Sequence, residues 1–334
     1  MMTDPITALA TNAATTAATT AATKGTTKLL DLLFSKHVLK HKRLETLSGA
    51  QNKKDAELIE QGLMEFRDGK FLLINEQVGN PTSALGLILT QNKQDQSENL
   101  GKCLGKAYEY LAEKDDKEIN DEQISGTFFN KWVNYGKEVS EEELQDLWGR
   151  ILAEETADPN SVNYLVLNTL SMMSKYHLEN LIKLMSYTAG RIIYVDNCKA
   201  DKSHWFEDIS QFDLEELVDL KILEGIELEG RYTNTLNTFE LSNANEVKKF
   251  AIIRKSPNHK YILLIEADNI IKLDCIRLTT IGKKLVEIYE SNSNQLEETE
   301  KFAKKLQSFN ELNSIQNIFL GLEEDNKFAI LKKI

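Results

Sequence analysis

The sequence predicts a mainly α-helical protein, with a central helical domain followed by a smaller α+β module. Three observations carry this prediction. Ser140 stands three residues before Glu143, the spacing of a capping box that satisfies the first free amides of a helix. Behind it, Leu144, Leu147, Trp148, Ile151, Leu152 and Glu155 recur at helical spacing on one stripe. Beyond Trp205 the texture changes to short apolar runs, partly β-branched, separated by polar turns.

Taken in order, residues 1–27 form a low-complexity tail, rich in alanine and threonine up to Thr23 and closed by Lys24-Gly25-Thr26-Thr27. Residues 28–95 read as a helical region. Its first part sets Leu29, Leu30, Leu32, Leu33, Phe34, Val38 and Leu39 among Lys28, Lys36, Lys40, Lys42 and Arg43, a basic amphipathic helix. Gln51 to Glu65 continues in a helical style, Phe71 to Ile74 fits strand or buried helix, and Gln91 to Asn99 is polar enough for a linker or an exposed helical face. The central domain spans 96–200. Leu100, Cys103, Leu104, Ala107, Tyr108 and Leu111 share a stripe, and Phe128, Phe129 and Trp132 precede the capped helix. Asp158-Pro159-Asn160-Ser161 then turns the chain into a second stripe of Val162, Leu165, Val166, Thr169, Leu170 and Met173, so that 140–173 reads as a helical hairpin. A third helix, about 175–188, is closed by Gly190.

Residues 201–290 form the α+β module. Asp213 caps a helix, strands follow near 239–241, 250–253 and 261–265, and Leu278-Thr279-Thr280-Ile281-Gly282 opens a closing helix. That order resembles a winged-helix-like module. Residues 291–334 supply a helix near 296–306 and a short strand at 328–331.

The run Phe128-Phe129, Trp132, Val139-Ser140, Gln145, Leu147-Trp148-Gly149, Ile151-Leu152-Ala153, Glu155, Pro159 and Asn168-Thr169-Leu170 resembles the bacterial proteins grouped as domain of unknown function 2806. The resemblance extends from about Asn99 to Glu290 and is strongest from Leu144 to Pro159. Members tend to carry Pro-Gly in the turn, where this chain has Pro159-Asn160. A weaker resemblance links the Trp-containing helix to proteins of the abortive-infection alpha type. The first resemblance implies a fold and a bacterial origin and brings no catalytic residues; the second implies a role in phage defence.

Bulk properties narrow the function classes. The chain has 334 residues, 41% hydrophobic and 28% charged, an ordinary composition for a folded protein with a buried core. A net charge of −12 disfavours attraction of the whole molecule to nucleic acid or anionic lipid. Cys103, Cys198 and Cys275 are odd in number and widely spaced, the pattern of reduced thiols. No apolar run reaches the ~18 residues of a membrane span, and no secretory signal is visible, so a cytoplasmic location is expected.

Candidate chemistry is sparse. Glu155 lies on the apolar stripe of its helix, where an unpaired charge is costly. It is expected to accept hydrogen bonds from the free amides near Ser161 to Asn163, a structural role shared with Ser140, Glu143 and Trp148. His37 and His41 stand four apart, a zinc spacing, but sit among Lys36, Lys40, Lys42 and Arg43, whose charge repels a cation. No nucleophile elbow, phosphate loop or calcium loop occurs. No catalytic, metal or cofactor residues are therefore assigned, and no cofactor is expected. Acidic residues outnumber basic ones between Trp205 and Glu290, which disfavours nucleic acid as a partner.

The reading that follows is a non-enzymatic interaction or regulatory protein with an unknown protein partner, self-association left open. The first alternative is a membrane-surface effector, peripheral at the inner membrane, acting through Lys28, Leu33, Phe34, Lys36, Lys40, Lys42 and Arg43. The second is a nucleic-acid-binding winged-helix protein.

Overall fold

The computed structural model describes residues 23–33, 64–67, 70–73, 81–196, 206, 208–226, 232–243, 246–256, 259–267, 270–290, 294–309, 317–324 and 327–334. The chain divides into two compact units, 1–162 and 163–334.

The first unit contains helix α1 (residues 24–33) and an antiparallel hairpin of β1 (Met64–Arg67) and β2 (Lys70–Leu73). Helices α2 (Pro81–Glu113), α3 (Gly126–Gly136) and α4 (Glu142–Ala157) follow, with a short 3-10 turn at Asp116–Glu118. The polar stretch 91–99 is thus interior to one long helix. Helix α4 lies along α2, and α3 packs against both. The contact is close because Gly149 has no side chain: a Cβ there would sit 2.4 Å from Lys106 Cβ and 2.8 Å from the Ala107 amide nitrogen. Around this crossing Cys103, Ala107, Trp132, Leu147, Trp148 and Ile151 are completely or nearly completely buried. Trp132 Nε1 donates to the Trp148 carbonyl at 2.9 Å, and the two indoles meet edge to face.

The expected capping box is not made. Helix α4 begins at Glu142, so its N-cap is Glu141, which makes no side-chain cap, and the Ser140 hydroxyl bonds the Glu141 carboxylate instead. One residue of offset takes the Ser140–Glu143 pair out of the frame a box requires. At the other end, Glu155 is buried and accepts from the Asn160 amide through Oε1 and from the Val162 amide through Oε2, both at 2.9 Å. Asn160 adopts φ 70, the left-handed conformation that glycine and asparagine tolerate best.

The second unit is where the mainly-α expectation fails. The described residues are 53% helical and 24% strand, an α+β arrangement with two antiparallel sheets in the C-terminal half. Helices α5 (Tyr164–Met172) and α6 (Lys175–Met185) lead into β3 (Thr188–Ala189) and β4 (Ile192–Tyr194). Gly190, at φ 64, turns between these two strands and does not close α6, whose C-cap is Ser186. Helix α7 (Gln211–Asp219) is followed by β5 (Tyr232–Leu236), β6 (Thr238–Asn243), β7 (Glu246–Arg254), β8 (Tyr261–Glu266) and β9 (Ile271–Arg277). Then come α8 (Thr280–Glu290), α9 (Gln295–Gln307), β10 (Asn317–Glu324) and β11 (Lys327–Lys333).

The strands form one sheet of order β3-β4-β9-β5 and another of order β11-β10-β8-β7-β6. Among the described residues, the strands expected to close a winged-helix-like module within 201–290 also pair outside that interval. Strand β9 pairs with β4 as well as β5, and β8 pairs with β10, so both sheets recruit strands from outside that interval. Helix α9 packs on β8 and β10. The other face of the five-stranded sheet carries Phe250, Ile262 and Leu264 at its centre. Phe239 and Phe328, from the two edge strands, meet over that centre at 5.4 Å, so the sheet is rolled. Helix α5 packs against α8, whose Gly282 would place a Cβ only 2.2 Å from the Ile222 carbonyl oxygen.

The two helices of the expected hairpin thus fall in different units, α4 beside α2 and α5 beside α8. Leu165, expected on the packed stripe, is 56% exposed, while its neighbours Val166 and Leu167 are buried.

Candidate interaction surface

Five of the exposed large apolar side chains of the second unit lie on α5, α6 and α7, with Ile270, Ile330 and Leu331 exposed elsewhere. On α5, Leu165 and Met172 are seven residues apart, two helical turns, and both are more than half exposed. Tyr164 lies next to Leu165, and Tyr176 is exposed on the first turn of α6. On α7, Phe212 is 78% exposed and heads a row with Glu215, Glu216 and Asp219 at i, i+3, i+4 and i+7.

Two capping boxes hold this surface in place. Ser174 caps α6, its hydroxyl accepting from the His177 amide while His177 Nδ1 accepts from the Ser174 amide at 3.0 Å. That leaves Nε2 to carry the ring proton toward the Glu216 carboxylate on α7 at 3.3 Å. Ser210 caps α7 in the same way, with Asp213 Oδ2 accepting from the Ser210 amide at 2.7 Å and its hydroxyl at 2.8 Å. The Tyr176 hydroxyl donates to Asp213 Oδ1 and ties α6 to the residue that follows Phe212. Burial opposes the Asp213 charge, but the hydrogen bonds from Tyr176 and Ser210 outweigh it and hold the carboxyl below its ordinary value. The same bond raises the Tyr176 phenol above its ordinary value. Asp213, expected as the cap itself, is the reciprocal partner of Ser210.

Ser174, His177 and Glu216 have the membership of a nucleophile, base and carboxylate relay, but they are wired as a helix cap. His177 Nδ1 is taken by the backbone amide of Ser174, and the serine oxygen by the amide of His177. The Ser174 hydroxyl also lies 3.1 Å from His177 Nδ1, but that nitrogen already accepts from the Ser174 amide, so the contact belongs to the cap. Elsewhere the buried thiols are poor nucleophiles: burial pushes Cys103 up to about 12 and raises Cys275. Among the described residues no group of three His, Cys, Asp or Glu side chains could hold a metal ion.

The residues singled out from sequence lie elsewhere. Ser140, Glu143, Trp148 and Glu155 belong to the first unit and its packing. Lys28 and Leu33, expected on a membrane-facing helix, are buried. Lys28 Nζ donates to the carbonyls of Thr156 at 2.7 Å and Asn120 at 3.0 Å, so that lysine faces protein and not lipid. Phe34, Lys36, Lys40, Lys42 and Arg43, with His37 and His41, lie outside the described residues. The exposed face of α5 was missed because that helix is apolar on most sides, and periodicity cannot choose its buried face.

No helix among the described residues is long and apolar enough to cross a membrane. Residues 88–196, from within α2 to just past β4, match the model of a family described as a protein of unknown function. The match ends at Asp196, short of the expected extension to Glu290. No curated protein and no solved structure matches the chain. Residues 88–196 are thus similar to the DUF2806 family of proteins of unknown function, the same family that the sequence resembles.

Proposed function

We propose that this protein works by binding another protein through the α5–α7 surface, without turning over a substrate. The observation that carries the reading is the exposure of Leu165 and Met172 on one face of α5, with exposed Tyr176 of α6 bonded to Asp213 beside exposed Phe212 of α7. Large apolar groups gathered at a surface mark interaction sites more often than isolated exposed residues do. The capping boxes at Ser174 and Ser210 support it, because an ordered surface loses less entropy on binding. Helix α7 contributes carboxylates and no Lys or Arg, so the fitting partner presents apolar side chains flanked by basic ones. The weaker resemblance to abortive-infection proteins makes phage challenge of the native host the condition in which to look for that partner.

The test is affinity capture of wild type and of a Leu165→Ser/Met172→Ser/Phe212→Ser variant, from challenged and unchallenged cells. The variant is expected to melt like wild type and to lose a specific partner, with affinity reduced by about tenfold or more. A partner retained equally by the variant would contradict the reading.

A further inference from the structure

We infer that the free edge of β11 is a second docking site, one that accepts an extended acidic segment of a partner as an added strand. The five-stranded sheet has β11 at one edge and β6 at the other, and no ladder joins them among the described residues. The ring contact between Phe239 and Phe328 shows that the roll brings the two edge strands toward each other without closing a barrel. An unpaired edge offers a row of backbone donors and acceptors to any extended chain.

Strand β11 adds side chains that select among such chains. Ile330 and Leu331 are each about half exposed, apolar surface for an incoming strand to cover. Lys327, Lys332 and Lys333 bracket them. Lysines on an edge commonly deter indiscriminate pairing, and here a register irregularity between Leu320 and Gly321 reinforces that protection. The same charges favour a strand that carries carboxylates. A β11 lysine already pairs with a carboxylate within the protein, Lys332 with Glu300 of α9 at 2.6 Å. A second copy fits poorly: antiparallel β11-to-β11 pairing centred on Ile330 sets Lys327 of each chain against the Lys332–Lys333 end of the other. The occupant is therefore an acidic, β-forming segment of another protein.

The test uses the full chain and two synthetic peptides, Thr-Glu-Val-Thr-Val-Glu-Val-Glu and its counterpart with lysine in place of glutamate. Fluorescence anisotropy is expected to show the acidic peptide binding about tenfold or more tightly than the basic one. A Lys327→Glu/Lys333→Glu variant, checked by melting temperature, is expected to reverse that order. Hydrogen exchange of the β11 amides is expected to slow when the acidic peptide is bound. Absence of binding, equal binding of the two peptides, an unchanged preference in the folded variant, or exchange protection confined to other strands would each overturn the inference. So would a wild-type dimer in sedimentation whose interface protects β11. The α5–α7 serine variant is expected to bind the acidic peptide normally, which separates this site from the first.

Discussion

Two buried lysines, one in each unit, do the same job with different partners. Lys28 of the first unit donates to the Thr156 carbonyl in the last turn of α4 and to the Asn120 carbonyl. Lys255 of the second donates to the carbonyl of Met185, the last residue of α6. Each ammonium satisfies a carbonyl that a helix C-terminus leaves free, at the negative end of the helix dipole. The surroundings then diverge. Lys255 also meets the Glu290 carboxylate at 2.7 Å and Glu298 at 3.5 Å, while the hydrogen-bond partners of Lys28 are neutral carbonyls. Burial pushes Lys28 below its ordinary value, with nearby Lys24 adding to the effect. In the other unit burial pushes Glu290 up even with the Lys255 ammonium beside it. A buried cation matched by carboxylates is expensive to break from one side, and one held by carbonyls is less so.

The largest expected effect follows from that asymmetry. Lys255→Met removes the cation that faces the mostly buried Glu290 and should cost about 3–5 kcal/mol of stability in denaturant unfolding. Adding Glu290→Gln should recover part of the loss, and a strictly additive double variant would show that the two groups are not coupled.

Next come the two tight glycines, which compare how each unit's helices close on their neighbours. Gly149→Ala and Gly282→Ala each force a Cβ into main chain or a Cβ atom, so losses of about 2–3 kcal/mol are expected. Gly105→Ala, with open space around its Cβ, should be neutral or slightly stabilising in the same melting series.

Lys28→Met should cost about 1–3 kcal/mol, less than Lys255→Met, since it leaves carbonyls and no carboxylate unpaired. A reversed order would break the comparison.

The smallest effect is a pH dependence. With its folded value below the ordinary 10.5, Lys28 is charged more readily in the unfolded chain. Its contribution is therefore fully present above 10.5 and is lost as pH falls through the folded value. Wild type should gain on Lys28→Met by a few tenths of a kcal/mol as pH climbs toward that window. Unfolding curves at pH ~8 and ~10 would check the sign.

The helical part of this architecture was legible where one face is apolar and the other is not. Leu144, Leu147, Trp148, Ile151 and Leu152 are all buried, as their stripe requires. Sheet pairing was harder, because partners distant in sequence decide it. Ile271, Leu273 and Cys275 alternate with Lys272 and Asp274 and are buried in β9 between β4 and β5, yet the short run alone does not announce two neighbours. Lys28 looked like a wet lysine on a basic helix because its partners are main-chain carbonyls some 90 and 130 residues away, which no side-chain pattern reveals. The candidate surface was hidden for the opposite reason. Tyr164, Leu165 and Met172 look like core residues, and only the packing of α5 on α8 leaves them outside.

The most direct test of the proposed function is photo-crosslinking in the native host, with a crosslinking amino acid placed at Met172, at Phe212 and, as an exposed control in the first unit, at Glu118. The α5–α7 surface predicts the same discrete covalent adduct from Met172 and Phe212 and none from Glu118. An absence of adducts at the two apolar positions, or an identical adduct from all three, would contradict it.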